Sequence, residues 1–433
     1  MIAKTTKIGG VDNLLSKRPA IPAPIPDYVY IAVENGRCAK ADIYVKEGDH
    51  VNLGQMIGMR HGPFFDQPIH SSVSGTMVKV EKHYHRCGKL VNFMKIENDR
   101  LDTLDPSIKD RTPEEVAAMT KEEMIKIIEN CACVGLGGSG FPTHVKLQTK
   151  EKINYILING IECEPYLDTD QRFMLDKTKE IFGGTKLLMQ MFNCNDARIC
   201  VKETHPEIIK HLNDMIEKYY PNEGIVVSPM KNFYPQGWEV AMVKTALGIK
   251  MAPGKIPPAY GIMNVNVTTA AQIYDAIWHN MPVYERYMSV NGDGINAPSN
   301  FVVRVGTPVI NLVHLAGGYK GDEKKVLIFG GPMMGTALPN EDCIATKTVT
   351  SLIVMNESTK PEAACIRCGS CVLSCPQGLQ PVLIMEAVKS ANRERVKMLT
   401  PLNCMECGLC TYSCTSGIRV TDYVRRAKLL AKL

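Results

Sequence analysis

Eight of the sixteen cysteines fall into two short runs near the C-terminus. The first is Cys365-x-x-Cys368-x-x-Cys371-x-x-x-Cys375-Pro376 and the second is Cys404-x-x-Cys407-x-x-Cys410-x-x-x-Cys414. Two-residue gaps let a chain curl around one cubane and present three thiolates to three irons, while the fourth cysteine of the run reaches a neighbouring cubane. The spacing therefore predicts two [4Fe–4S] clusters with crossed ligands. Cys365, Cys368, Cys371 and Cys414 hold one, and Cys404, Cys407, Cys410 and Cys375 hold the other. Zinc sites take their four ligands in two pairs rather than in unbroken runs of four. Gly369 and Gly408 follow the second cysteine of each run, where a tight loop needs a small residue, and Thr415 stands where the first run has Pro376. The fourth cysteine is expected to start a helix leading away. Residues 381–397 carry helical spacing at Leu383, Ile384, Ala387 and Val388, which predicts a helix between the two loops. Two adjacent clusters make a one-electron wire, which needs a donor and an acceptor.

A second concentration of chemistry lies upstream, at Gly135-Leu136-Gly137-Gly138-Ser139-Gly140-Phe141-Pro142-Thr143-His144-Val145-Lys146. Glycines bring backbone amides close to a ligand, exposed amides favour an anion, and Lys146 adds a charge, so the stretch suits a phosphate. No Gly-Lys-Ser/Thr ends it, so it is not a Walker loop. Asn159-Gly160-Ile161-Glu162-Cys163-Glu164-Pro165 puts two carboxylates at the end of an expected strand, where α/β folds bind ligands. Tyr234-Pro235-Gln236-Gly237-Trp238-Glu239 has turn character and ends in an acid.

The elements that position these residues alternate in type. Thr112-Pro113-Glu114-Glu115 and Thr120-Lys121-Glu122-Glu123 read as helix starts with capping boxes. Strands are expected at 154–159, 198–202 and 224–228, and helices at about 176–191 and 206–219. That alternation predicts a parallel sheet covered by helices. A chain of 433 residues with 45% hydrophobic and 22% charged residues is an ordinary folded protein of several domains. A net charge of +5 without a basic block argues against nucleic acid. No apolar run approaches the roughly 20 residues of a membrane span. Met1-Ile2-Ala3-Lys4 opens no signal sequence, so a cytoplasmic protein is expected. Cys131, Cys133, Cys163, Cys194 and Cys200 read as core residues, and His83, Tyr84, His85 and Cys87 as surface residues. Arg425, Arg426, Lys428 and Lys432 read as a solvated or docking helix face.

Taken in order, the segments resemble the NADH-binding flavoprotein subunit of respiratory complex I. Gly135–Lys146 resembles its flavin-phosphate loop, although Leu136 replaces an arginine. Asn159–Pro165 resembles its Asn…Glu-x-Glu-Pro segment, and Tyr234–Glu239 occupies the place of its Gly-Glu-Glu turn. Asn266-Val267-Thr268-Thr269 resembles its Asn-Val-Glu-Thr segment. The whole chain is similar to the C subunits of the Rnf ion-translocating complexes. Val45-Lys46-Glu47-Gly48-Asp49-His50-Val51, Gly54-Gln55 and Ile69–Gly75 resemble the two halves of a lipoyl-like barrel, with no lysine in 59–68 to carry lipoate or biotin.

The resemblance implies a multi-domain α/β plus β chain. Residues 1–110 would hold the lipoyl-like half-barrel and 111–254 a Rossmann-like FMN/NAD(H) domain. Residues 255–325 would hold a β-grasp module, 326–358 a connector and 359–433 the two-cluster ferredoxin-like module. It implies FMN, NAD(H) and two [4Fe–4S] clusters, and a place on the cytoplasmic face of the membrane. The implied partners are membrane and peripheral Rnf subunits, with ferredoxin reached through other subunits. The phosphate falls to the backbone of Gly137, Gly138 and Gly140, with Gly135 in the same loop and Lys146 as counter-charge. Asn159 and Asn266 hold the ribityl chain or ring edge. Glu162 and Glu164 stand near the nicotinamide, Phe141 stacks on a ligand or in the core, and Gly237, Glu239 and Thr268 complete the pocket. Hydride transfer moves an electron pair and a cluster takes one electron, so a flavin is needed between them. No side chain is required for proton transfer. A cobalamin reductase of diol-degrading compartments shares the flavin-like domain and the two-cluster module, while the half-barrel and β-grasp order favour the Rnf resemblance, and an electron adaptor without flavin would use the clusters alone.

Overall fold

The computed structural model describes residues 14–357 and 361–432, so the Met1–Lys4 stretch lies outside the described residues. Residues 28–98 form two antiparallel layers. One pairs the strands Tyr28–Ala32, Leu90–Asn98, Gly75–Tyr84 and His50–Val51, and the other pairs Lys40–Ile43, Met56–His61 and Asp66–His70. Val29, Ile31, Val51, Ile57, Ile69, Met77, Met94 and Ile96 fill the space between the layers.

Both expected capping boxes are present. Thr112 caps Pro113–Ala118 with Glu115, and Thr120 caps Lys121–Asn130 with Glu123. The parallel sheet has the spatial order Ile225–Met230, Ala197–Lys202, Tyr155–Gly160, Ile262–Asn266. Its three inner strands are largely buried, the edge strand Ile225–Met230 is partly exposed, and helices Thr178–Phe192 and Val267–His279 join the sheet in one large core. The expected boundary at 254 does not follow the fold. Ile262, Met263 and Val265 form a fourth buried strand, and the helix after it packs on the sheet, so the α/β layer runs to His279. The order places the topological switch between Tyr155–Gly160 and Ile262–Asn266, the crevice where such sheets take ligands.

Residues 326–358 are not a connector either. Lys325–Phe329 and Ser351–Asn356 are strands of a six-stranded sheet that also holds Glu285–Asn291 and Ser299–Arg304. Leu327, Phe329, Leu352 and Val354 share one core with Met288, Val290 and Phe301. Sequence distance hid this, because the partners of these strands lie tens of residues away.

In the C-terminal module the helix expected over 381–397 is broken into Pro381–Lys389 and Arg393–Met398. Ala391 adopts φ +52 and the Asn392 side chain accepts from Arg395 N, which starts a new helix. Cys375 and Cys414 do not start helices. Each follows a four-residue helix, and Gly378 (φ +66) and Gly417 (φ +67) turn the chain before Pro381–Lys389 and Val420–Lys432 begin.

Candidate functional site

At the switch point Asn159 and Asn266 are register partners at the C-terminal ends of neighbouring strands. Asn266 donates from Nδ2 to Asn159 O at 3.2 Å and to Asp170 Oδ2 at 2.6 Å, and its Oδ1 accepts from Thr268 N at 2.9 Å. Asn159 donates from Nδ2 to Gly237 O at 2.9 Å. These bonds fix both carboxamides at the floor of a cavity of about 390 Å³, within the range of roughly 300–1,000 Å³ that small-molecule sites occupy.

The glycine-rich loop forms one wall through Gly137, Gly138 and Ser139. Gly135 N donates to Phe141 O at 2.8 Å and Gly140 N to Gly135 O at 2.9 Å, which closes the loop on itself. Gly140 therefore has no amide to offer a phosphate, a correction to the expectation. The amides of Gly137 and Gly138 donate to no protein group among the described residues. Gly138 has φ +101 with nothing within 4 Å of an added Cβ, and a Cβ on Gly137 would come to 3.0 Å from the Asn266 carboxamide. Two unspent amides beside bare backbone are what a phosphoryl group needs, so the loop fits FMN.

Of the other expected residues, Glu162, Glu164 and Gly237 line the cavity, whereas Lys146, Phe141, Glu239 and Thr268 lie outside it. Lys146 turns its ammonium to Asn264 Oδ1 at 3.2 Å, and Glu239, in the first turn of Glu239–Leu247, is the anion it senses. Phe141 is half-buried and carries the Arg37 guanidinium 5.5 Å from its ring centre. Thr268 is buried at the start of Val267–His279 and lines a separate hollow with Leu136. Glu162 lines the cavity, but its carboxylate is spent on the backbone, accepting from Thr169 N at 3.1 Å and Asp170 N at 3.0 Å. Burial, then the charges of Asp170 and Asp168, push its carboxyl well up. Glu164 accepts from Met333 N at 3.0 Å and Met334 N at 2.8 Å, and burial raises it to about 7. Cys163, with the carboxylates on either side, accepts from Gly237 N at 3.3 Å and is pushed up to about 12 by burial, a structural thiol. Cys131, Cys133, Cys194 and Cys200 are buried. His85 is buried, not on the surface as expected, because its strand end is covered by the loop that follows Ala345.

The cysteines gather crosswise. Cys365, Cys368, Cys371 and Cys414 line one hollow. Cys407 lies within electrostatic reach of Cys410, Cys404 and Cys375, and burial pushes its thiol up to about 12. Among the described residues no three His, Cys, Asp or Glu side chains are close enough to hold a single metal ion. Both sets have the four thiols a cubane takes, so the residues fit two clusters. The sets differ in exposure: Cys365 and Cys368 are exposed, whereas Cys407 and Cys410 are buried. Met405, inside the second run, lines the cavity of Asn159 and Asn266. Tyr234, Cys407 and Leu409 form one apolar cluster with Cys163 and Met333. Met333, Met334 and Met405 were not foreseen, since nothing local in their sequence marks a site.

Four family descriptions match in order: "RnfC Barrel sandwich hybrid domain" over 8–101, "Nuo51 FMN-binding domain" over 128–275, "SLBB domain" over 287–337 and "4Fe-4S dicluster domain" over 364–418. In fold, the chain is similar to a protein of the NAD⁺-reducing [NiFe]-hydrogenase, with a TM-score of 0.51 at 15% identity, covering 74% of this chain and 65% of that one. An FMN-binding α/β domain joined to a dicluster module defines an iron–sulfur flavoprotein. Over 388 residues the chain is 34% identical to the C subunit of the Na⁺-translocating ferredoxin:NAD⁺ oxidoreductase complex of Acetobacterium woodii, covering 87% of this chain and 86% of that one. It is 31% identical to the C subunit of the proton-translocating ferredoxin:NAD⁺ oxidoreductase complex of Clostridium ljungdahlii, covering 85% and 80%. Against the C subunit of the ion-translocating oxidoreductase complex of Haemophilus influenzae it is 30% identical and spans 58% of that longer protein. The chain belongs to this family, the C subunits of Rnf complexes, and no helix among its described residues is long and apolar enough to cross a membrane.

Proposed function

We propose that the chain is the NAD(H)-handling electron-transfer subunit of a membrane-bound, ion-translocating ferredoxin:NAD⁺ oxidoreductase, seated peripherally on the cytoplasmic face. Its neighbours there are membrane and peripheral subunits of the complex, and ferredoxin is reached through them. The observation that carries this reading is Met405: a residue between two cluster ligands lines the cavity built by the flavin loop and the two asparagines.

The amides of Gly137 and Gly138 would hold the FMN phosphate, and Asn159, with one amide hydrogen unspent, would hold the ribityl chain or ring edge while Asn266 positions it from the neighbouring strand. When bound, FMN accepts an electron pair from the nucleotide and passes the electrons on singly. Trp238, Phe329, Met334 and Met405 give the cavity its apolar wall. Cys404, Cys407, Cys410 and Cys375 hold the cluster beside it, and Cys365, Cys368, Cys371 and Cys414 hold the cluster at the surface. The order of transfer therefore runs from cavity to buried set to exposed set, or the reverse.

Anaerobically purified protein tests this. A flavin spectrum bleached by NADH, followed by cluster signals in electron paramagnetic resonance, is the expected result. Protein that carries eight irons but no flavin, and that NADH does not reduce, overturns it.

A further inference from the structure

A second cavity, of about 410 Å³, opens on the other side of the glycine-rich loop. Its walls come from the N-terminal barrel, from Gly138–Gly140, and from Thr346–Thr348. Arg37, Arg60, Arg86 and Lys347 all line it, and no aspartate or glutamate does. Their hydrogen bonds go to neutral acceptors. Arg37 donates to Ser139 O at 3.0 Å, Arg86 to Thr348 O at 2.6 Å and Lys347 to Ala132 O at 2.7 Å. Arg60 donates to Val33 O at 3.0 Å, Gln67 Oε1 at 3.1 Å and Ala32 O. None of the four pairs with a carboxylate among the described residues.

Gathering buried cations without counter-charge is unfavourable. Burial pushes Lys347 down to about 7 and Arg60 down to about 10. His70 and His85, at about 3 and about 4, stay neutral and relieve the crowding. A second, independent observation points the same way. Thr346 is 8% exposed, lines this cavity, and its hydroxyl has no hydrogen-bond partner.

We propose that this cavity is a phosphoryl-anion site, in which Arg37, Arg60, Arg86, Lys347 and the Thr346 hydroxyl grip phosphate oxygens. Three guanidinium groups exceed what one carboxylate can neutralise, and their forked donors match phosphate oxygens, with Lys347 gaining its full charge when an anion arrives. Two sources share this chemistry: the pyrophosphate of a nicotinamide dinucleotide, and free phosphate. Gly138, Ser139, Arg86 and Thr348 line both cavities, so one extended ligand can place its reactive end in the first and its phosphates in the second. The dinucleotide source rests on the function proposed above, whereas the anion site itself does not.

The test is calorimetric titration of the full, cofactor-loaded chain in phosphate-free buffer, with inorganic phosphate and with NAD⁺. Arg37→Ala removes an exposed cation at the mouth, and Lys347→Gln removes an interior one, its fold checked by thermal melting. Phosphate binding to the wild type, weakened roughly tenfold in each variant, is the expected result, the size of a lost charge-assisted bond. NAD⁺ displacing phosphate supports the site and assigns it to the dinucleotide, and NAD⁺ binding alongside phosphate supports it and assigns it to free phosphate. Absence of phosphate binding by the wild type, binding unchanged in Arg37→Ala and in folded Lys347→Gln, or loss of FMN from Arg37→Ala, overturns the proposal. Protein that binds phosphate in this way yet is not bleached by NADH sinks the function proposed above and leaves the anion site standing.

Discussion

The hydroxyl of Tyr234 donates to the carbonyl oxygen of Cys407 at 2.8 Å, across 173 positions of sequence. Tyr234 belongs to the turn over the flavin cavity and Cys407 to the second cysteine run, so this buried bond pins one redox site against the next. Glu164 is a further hydrogen-bond partner of the same hydroxyl. Tyr234→Phe keeps the ring in its apolar cluster and leaves the Cys407 carbonyl short of a donor. A loss of about 1–3 kcal/mol is expected. It is measured as a lower melting temperature, together with slower reduction of the clusters after the flavin has bleached, followed by anaerobic stopped-flow absorbance.

The crossed cysteine sets give two variants with opposite consequences. Cys375→Ser strips a ligand from the set beside the cavity, and NADH-driven reduction of both clusters is expected to fall. Cys414→Ser strips a ligand from the exposed set, so the inner cluster still reduces while transfer to an external acceptor fails. Electron paramagnetic resonance of each variant after one equivalent of NADH separates these outcomes. Equal loss of the inner signal in both variants would contradict the crossed assignment.

How much of this was legible in the sequence depended on whether the partners were local. The capping boxes at Thr112 and Thr120, the glycine loop and the cysteine runs are short-range patterns, and each is found where spacing put it. The crossed grouping of Cys375 and Cys414 was legible because fixed spacing dictates it. The strands Lys325–Phe329 and Ser351–Asn356 were not, since their pairing with Glu285–Asn291 and with each other is decided by tertiary packing. Glu162 read as a ligand-facing acid and does line the cavity, but two residues past the strand, at φ +39, its carboxylate accepts from the amides of Thr169 and Asp170. Lys146 read as a phosphate counter-charge, but its helix points it back toward Asn264. In both cases residue type was legible and side-chain direction was not.

Gly138→Ala probes the phosphate cradle. The backbone there has φ +101, which costs an L-residue on the order of 1–3 kcal/mol. An added Cβ meets no protein atom within 4 Å, so the cost is backbone strain and not a clash. The methyl group instead intrudes on the space where the amides meet the phosphate. The ratio of FMN to iron in purified protein is expected to drop, with iron content unchanged. An unchanged ratio would remove the loop from the flavin site.

Glu164 sets the pH dependence. Burial raises its carboxyl to about 7, against the pull of the Met333 and Met334 amides and the Tyr234 hydroxyl. Its ordinary value is 4.5, so between about pH 4.5 and pH 7 the native chain binds more protons than the unfolded chain. Stability contributed by this group therefore falls as pH rises through that window and stays at its lower level above it. Ionisation also places a negative charge on the wall of the cavity, which disfavours arrival of electrons there. NADH-driven bleaching of the flavin is expected to slow as pH rises past about 7 in the wild type. Glu164→Gln removes the titration at the cost of one weakened amide bond, so its profile should be flat there. Bleaching rates and melting temperatures from about pH 6 to pH 8, measured on both proteins, decide the matter: an inflection shared by wild type and Glu164→Gln would assign it to another group.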